Sequence, residues 1–141
     1  MILIIDDHLD TGAALAALMK RKGHDAVAVG SAAAALQLLR SLVPQVIVLD
    51  VMMPEMDGTE VLRRVRADDR LRPVPVVMFS ADYTHERYRQ SIEAGANDYL
   101  VKGAVGWDEV YHAVEKQVES PPSPPAARRA LTGAGGTACR V

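Results

Sequence analysis

Residues 46–50 read Val-Ile-Val-Leu-Asp, an apolar run that ends on an acidic residue. An apolar run followed by a polar residue recurs at residues 2–6, 76–80 and 99–102, and a fifth apolar run covers residues 26–29. Apolar runs of this length without alternation are typical of strands that are covered on both faces. The recurrence therefore predicts five buried strands of a parallel sheet.

Segments with helical periodicity separate the five runs. Their boundary signals are Gly23 after the first, Ser31 before the second, Asp57 with Glu60 before the third, and Gly95 after the fourth. The apolar positions of the second helix are Ala35, Leu36, Leu39 and Leu42, and those of the fifth are Trp107, Val110, Tyr111, Val114 and Val118. Five strands alternating with five helices predict an α/β fold, a doubly wound parallel sheet with helices on both faces. The periodicity does not determine the strand order.

The composition of the 141 residues, 49% hydrophobic and 24% charged, fits one soluble domain. A single cysteine excludes an internal disulfide and a multi-cysteine zinc site. The N-terminus lacks the basic start and long apolar stretch of a signal peptide, so we expect a cytoplasmic protein. A formal net charge of −2 provides no global attraction to nucleic acid.

The last 22 residues differ in composition from the rest of the chain. Residues 120–141 contain four of the eight prolines, a stretch rich in alanine and glycine, and three arginines without any acidic residue. Such a segment has few large apolar groups to offset the entropy of ordering. We therefore expect a domain at residues 1–119, followed by a flexible basic tail at residues 120–141.

Polar side chains stand at four of the predicted strand ends: Asp6 with Asp7, then Asp50, Ser80 and Lys102. Because the carboxyl ends of parallel strands lie along one edge, these side chains are expected to converge there. Three clustered carboxylates repel one another, and a divalent cation with oxygen ligands relieves that repulsion. Mg²⁺ suits such a site because it takes one or two carboxylates and shares phosphate oxygens.

No histidine or cysteine occupies an equivalent strand end, which argues against zinc. His8 is close in sequence, but we expect it to be a solvated neighbour of the acidic pair. Lys102 offers a point charge to a phosphoryl oxygen, and Ser80 offers a hydrogen bond. A metal, an ammonium and a hydroxyl around one carboxylate are the groups needed for phosphoryl transfer to that carboxylate.

These residues resemble the response-regulator receiver domains of two-component signalling, such as the single-domain CheY-like proteins. The resemblance rests on residues 2–7, 48–58, 77–81 and 94–102, and it extends over residues 1–119. It implies a flavodoxin-like five-stranded sheet in the order 2-1-3-4-5.

The resemblance also implies a role for each acidic residue. Asp50 is the expected phosphoacceptor, which takes a phosphoryl group from a histidine kinase or a phosphotransfer protein. Asp7 is the expected direct Mg²⁺ ligand, and Asp6 is expected to hold a metal-bound water. Asp50 and the backbone carbonyl of Met52 complete the implied metal site.

The remaining implied roles concern switching. Ser80 matches the switch hydroxyl, Tyr99 the switch aromatic and Lys102 the lysine that contacts the phosphoryl group. On phosphorylation the hydroxyl is expected to move toward the phosphoryl group, and the ring is expected to turn inward. The implied partner is a downstream protein that binds the face formed by helix 4, strand 5 and helix 5, with no direct contact to nucleic acid or membrane. The chain is thus expected to be a phosphoacceptor regulator rather than an enzyme.

Two other functions remain open at the level of sequence. A Mg²⁺-dependent phosphohydrolase with Asp50 as nucleophile usually has a second aspartate two residues later, where this chain has Met52. A phosphorylation-independent interaction domain is favoured by one departure, because Gly103 follows Lys102 where receiver domains usually have proline. A non-proline residue disfavours the cis bond, so we predict a trans Lys102–Gly103 bond and a lysine held less rigidly.

Overall fold

The computed structural model describes residues 1–119, which form five strands and five helices in alternation. The strands are β1 (Ile2–Ile5), β2 (Ala26–Val29), β3 (Val46–Leu49), β4 (Val76–Ser80) and β5 (Asp98–Val101). The helices are α1 (Leu9–Arg21), α2 (Ala32–Leu39), α3 (Gly58–Ala67), α4 (His85–Glu93) and α5 (Trp107–Glu119). All strand pairs are parallel, in the order β2-β1-β3-β4-β5, which confirms the predicted fold. The predicted tail at residues 120–141 lies outside the described residues.

Two apolar cores cover the two faces of the sheet. One core joins the sheet to α2 and α3, with Tyr88 of α4 packed against it, and the other joins it to α1 and α5. Alternate residues of β1 divide between them, since Leu3 and Ile5 belong to the first core and Ile2 and Ile4 to the second. This layering explains why the strand runs are apolar without alternation. No helix in residues 1–119 combines the length and the apolar character needed to cross a membrane.

The residues Ser31 and Asp57 cap helices as predicted, but Asp57 does not form the predicted capping box, because the Glu60 carboxylate pairs with Arg63 and Arg64. The Ser31 hydroxyl accepts a hydrogen bond from the Ala34 amide, and the Asp57 carboxylate accepts one from the Thr59 amide, so both residues begin a helix. Gly95 follows α4 with a φ of 109°, in the left-handed region that glycine favours. These helix boundaries therefore follow from local sequence.

Three local expectations are wrong. β2 is not covered on both faces, because it is an edge strand that pairs only with β1, and Val27 is 42% exposed. The second helix ends at Leu39, so Leu42 lies beyond it and is partly exposed. Trp107 begins α5 but is also largely exposed, with its ring edge-on to Phe79 at a centroid distance of 6.4 Å.

Arginines on and after α3 bind backbone carbonyls of nearby loops. Arg66 donates hydrogen bonds to the carbonyl oxygens of Val74 (2.6 Å) and Gly95 (2.8 Å), and Arg70 donates to that of Leu42 (3.1 Å). These hydrogen bonds therefore give backbone carbonyls of neighbouring loops a partner within the protein. Arg64, by contrast, is exposed and forms an ion pair with Glu60 of its own helix.

Candidate functional site

Of the predicted strand-end residues, Asp6, Asp7, Asp50 and Lys102 converge at the carboxyl edge of the sheet. The Lys102 ammonium, just after β5, lies 2.7 Å from Asp6 Oδ2 and 3.5 Å from Asp50 Oδ2. Asp6 and Asp50 follow the neighbouring strands β1 and β3, and the Asp50 amide donates to the carbonyl of Ile5. Parallel pairing of β1 and β3 therefore brings together two carboxylates that are 44 residues apart in the chain.

Asp50 is only 3% exposed and is incompletely hydrogen-bonded. Its Oδ1 accepts a hydrogen bond from the Met52 amide at 3.3 Å, whereas its buried Oδ2 accepts none. Burial raises the pKa of this carboxyl to about 6; the Lys102 ammonium opposes the increase and the Asp6 carboxylate adds to it. Ionised Asp50 is thus held at a cost in free energy, which a bound cation would relieve.

His8 belongs to the same cluster, although the sequence suggested a solvated neighbour. Its Nδ1 lies 3.2 Å from Asp6 Oδ1, 3.3 Å from Asp7 Oδ1 and 3.9 Å from Asp50 Oδ2. One ligand atom from each of these four residues lies within 4.8 Å of the others. The ring is 67% exposed, so only its nitrogen edge meets the acidic residues. The sequence signal for this contact is its place directly after an acidic pair at a strand end.

The donor set fits a hard divalent cation. Asp7 Oδ1 and Asp50 Oδ2 are buried oxygen atoms that accept no hydrogen bond, and both belong to the cluster around His8. Free carboxylate oxygens are the ligands that Mg²⁺ prefers, with its remaining positions filled by water or phosphate. The backbone carbonyl of Met52 stays a predicted ligand.

The predicted switch residues are linked through the loop after β4. The Asp82 amide donates to the Ser80 hydroxyl oxygen at 3.1 Å, and the Tyr99 hydroxyl donates to the Asp82 carbonyl at 2.6 Å. The Tyr99 ring is fully buried and packs edge-on against Tyr88 at 6.0 Å. Tyr99 therefore lies in the inward position, which the resemblance associates with phosphorylation, and these contacts stabilise it there.

Arg87 in α4 joins the two loops that border the site. Its Nη1 lies 3.0 Å from Asp57 Oδ2 in the segment before α3, and its Nε lies 3.5 Å from Asp82 Oδ2. No local sequence pattern marks this pairing, because Asp57 lies 30 residues from Arg87 in the chain. Arg87 therefore links both of these loops to α4 by ion pairs.

Two glycine positions shape the surroundings of Asp50. A Cβ added to Gly58 would lie 2.1 Å from the carbonyl oxygen of Asp50, so α3 approaches the strand end closely only with glycine there. The Lys102–Gly103 bond is trans, as predicted, and Gly103 has a φ of 83°. The Lys102 ammonium nevertheless lies close to both Asp6 and Asp50, and its lower rigidity stays a prediction.

Comparison with known proteins identifies the same type of domain. The family model of the response regulator receiver domain matches residues 2–115. The transcriptional regulatory protein AfsQ1 of Streptomyces coelicolor is 38% identical over 105 residues, which cover 74% of this chain and 45% of AfsQ1. The DNA-binding response regulator MtrA of Mycobacterium tuberculosis is 35% identical over 101 residues, which cover 72% of this chain and 43% of MtrA.

A solved structure gives the same result in three dimensions. The receiver domain of the Francisella response regulator 1452 superposes with a TM-score of 0.77 at 27% identity, covering 84% of this chain and 95% of that domain. The aligned part of this chain spans less than half the length of AfsQ1 and of MtrA, but nearly the whole of the isolated domain. The likeness therefore concerns the receiver domain and not the rest of the longer regulators.

Proposed function

The chain belongs to the response-regulator receiver domains, and on this premise we propose that it accepts a phosphoryl group on Asp50. The donor is a histidine kinase or a phosphotransfer protein, and Mg²⁺ is the cofactor. The observation that carries the proposal is Asp50 Oδ2, which is buried, accepts no hydrogen bond and lies 3.5 Å from the Lys102 ammonium. A buried carboxylate oxygen left free beside a cation is suited to act as a nucleophile.

The transfer forms one bond and breaks one. A carboxylate oxygen of Asp50 attacks the phosphorus atom, and the bond between that atom and the donor's imidazole nitrogen breaks. Asp50 must be ionised to attack, and a pKa of about 6 leaves it mostly ionised at neutral pH. Lys102 is placed to contact a phosphoryl oxygen, and Asp6 holds Lys102 in position at 2.7 Å. Bound Mg²⁺ would offset the negative charge of the phosphoryl oxygens.

The output proposed for the phosphorylated domain is a changed protein-binding surface. A phosphoryl group adds a charge of about −1.5 to −2 and new acceptor oxygens. Ser80 and Lys102 can each gain a charge-assisted hydrogen bond, at about 1.5–3 kcal/mol each. Their sum is comparable to the roughly 5.5 kcal/mol that moves a two-state equilibrium from 1:99 to 99:1. The Arg87 and Tyr99 contacts then transmit the shift to α4 and β5, where we propose that a downstream protein binds.

The alternatives are less favoured. Receiver domains are signalling modules rather than classical enzymes, and the position where a phosphohydrolase needs its acid–base aspartate holds Met52. The interaction-only alternative rests on a lysine that is held less rigidly, yet the Lys102 ammonium lies close to both carboxylates despite the following glycine. DNA binding belongs to the full-length relatives named for it, and we do not extend it to this chain.

The test is phosphorylation by a small donor. Acetyl phosphate with Mg²⁺ should add one phosphoryl mass to the intact protein, and Asp50→Asn should abolish the addition. Asp69→Asn is the matched control, because Asp69 is 89% exposed and follows α3 far from the cluster. Equal labelling of the Asp50→Asn variant would refute Asp50 as the acceptor. Absence of labelling in the unaltered protein, with both donor and Mg²⁺ saturating, would favour the interaction-only alternative.

A further inference from the structure

His8 holds a nitrogen donor against the acidic cluster in a defined position. Its backbone amide donates to Asp6 Oδ1 at 2.9 Å, and the residue directly precedes α1. The ring is attached to this anchored backbone, with Nδ1 facing Asp6 and Asp7. The orientation of the imidazole toward the carboxylates is therefore part of the local fold.

The distances in the cluster match those between ligands of one cation. Two donor atoms that each lie 2.0–2.2 Å from a metal are about 2.8–3.1 Å apart at a right angle and about 3.3–3.6 Å apart at the tetrahedral angle. His8 Nδ1 lies 3.3 Å from Asp7 Oδ1 and 3.9 Å from Asp50 Oδ2. The first distance lies in this range, and the second exceeds the tetrahedral value by about 0.3 Å.

The two oxygen atoms of this set have no competing hydrogen bonds. Asp7 Oδ1 and Asp50 Oδ2 are both buried and accept none, and Asp50 is 97% buried. Asp6 differs, because its Oδ1 accepts from the His8 amide and is hydrogen-bonded to His8 Nδ1 at 3.2 Å, and its Oδ2 accepts from the Lys102 ammonium. A cation would bind the two free carboxylate oxygens and would replace the Asp6 contact of the imidazole nitrogen.

We propose that His8 is a metal ligand and that this site prefers a first-row transition cation over Mg²⁺. Imidazole nitrogen binds Co²⁺, Ni²⁺, Cu²⁺ and Zn²⁺ well, and affinity rises along that series up to copper. Mg²⁺ gains little from the imidazole, because it prefers oxygen ligands and keeps several waters. The inference rests on the cation site of the proposed function, and it adds a cation preference that depends on His8.

The experiment is a pair of calorimetric titrations on the full chain, with Co²⁺ and with Mg²⁺, at a pH where imidazole is neutral. The visible spectrum of bound Co²⁺ reports its coordination geometry and changes when a ligand is lost, and competition with Mg²⁺ shows whether the two cations share a site. The variant is His8→Phe, which keeps the backbone amide that anchors the loop. The control is His112→Phe, which removes an exposed imidazole from α5.

The unaltered protein should bind Co²⁺ more tightly than Mg²⁺. His8→Phe should weaken Co²⁺ binding by about tenfold or more and alter the Co²⁺ spectrum, with Mg²⁺ affinity changed less than about twofold. An unchanged Co²⁺ affinity in His8→Phe, or equal losses for both cations, would overturn the role of His8 while Mg²⁺-dependent phosphorylation stands. Failure of the unaltered protein to bind Mg²⁺ or to be phosphorylated would instead count against the proposed function.

Discussion

Replacing Asp50 by asparagine is expected to stabilise the cation-free protein at neutral pH. The buried carboxyl has a pKa of about 6 in the folded protein, against an ordinary value of 3.8. Between these two pH values the folded protein keeps a proton that the unfolded chain releases. The free energy of unfolding therefore falls as the pH rises through this window, and the loss is complete above pH 6.

The size of the effect follows from the same two values. At about 1.4 kcal/mol for each pH unit between them, the full loss is about 3 kcal/mol. Asparagine has nearly the same shape and no charge, so the variant escapes this loss. We expect Asp50→Asn to exceed the unaltered protein in unfolding free energy by about 2–3 kcal/mol at pH 7.5 and to match it closely at pH 4.

Urea unfolding at a series of pH values, with divalent cations removed, measures this difference. The other titrating groups are common to both proteins, so subtracting the two curves isolates Asp50. For the control variant Asp69→Asn, the unfolding free energy should change with pH in the same way as for the unaltered protein. Saturating Mg²⁺ should reduce the difference in unfolding free energy between Asp50→Asn and the unaltered protein, because the cation stabilises the ionised carboxylate. A difference curve that is flat between pH 4 and pH 8 would refute the reasoning.

Three further predictions concern the site and its borders. Asp7→Ala should abolish Mg²⁺-dependent phosphorylation while keeping or raising the melting temperature, because it removes one of three clustered negative charges; a clear loss of stability without cation would contradict this. Gly58→Ala should cost about 1–3 kcal/mol in urea unfolding, since its Cβ would lie 2.1 Å from a backbone oxygen, whereas Gly106→Ala meets open space and serves as control. Ending the chain after Glu119 should leave melting temperature and phosphorylation unchanged, and a drop of many degrees would show that the tail docks.

The sequence by itself determined the elements and the edge of the sheet where the site lies. Continuous apolar runs and cap residues such as Ser31 act within a few residues of themselves, so their patterns are visible in the chain. Parallel strands also align their carboxyl ends, so Asp6, Asp50 and Lys102 could be assigned to one edge without knowing the strand order. That order came from the resemblance, because periodicity describes single elements and not their neighbours.

Only the tertiary structure decided which side chains meet. Val27 is exposed because β2 is an edge strand, and Arg66 meets carbonyls of loops that are distant in sequence. Tertiary packing also brings Arg87 to Asp57 and His8 to Asp50, which lie far apart in the chain. The pKa of Asp50 depends on burial by residues from several elements. Each of these properties depends on distances between chain segments, which packing sets and a linear pattern does not contain.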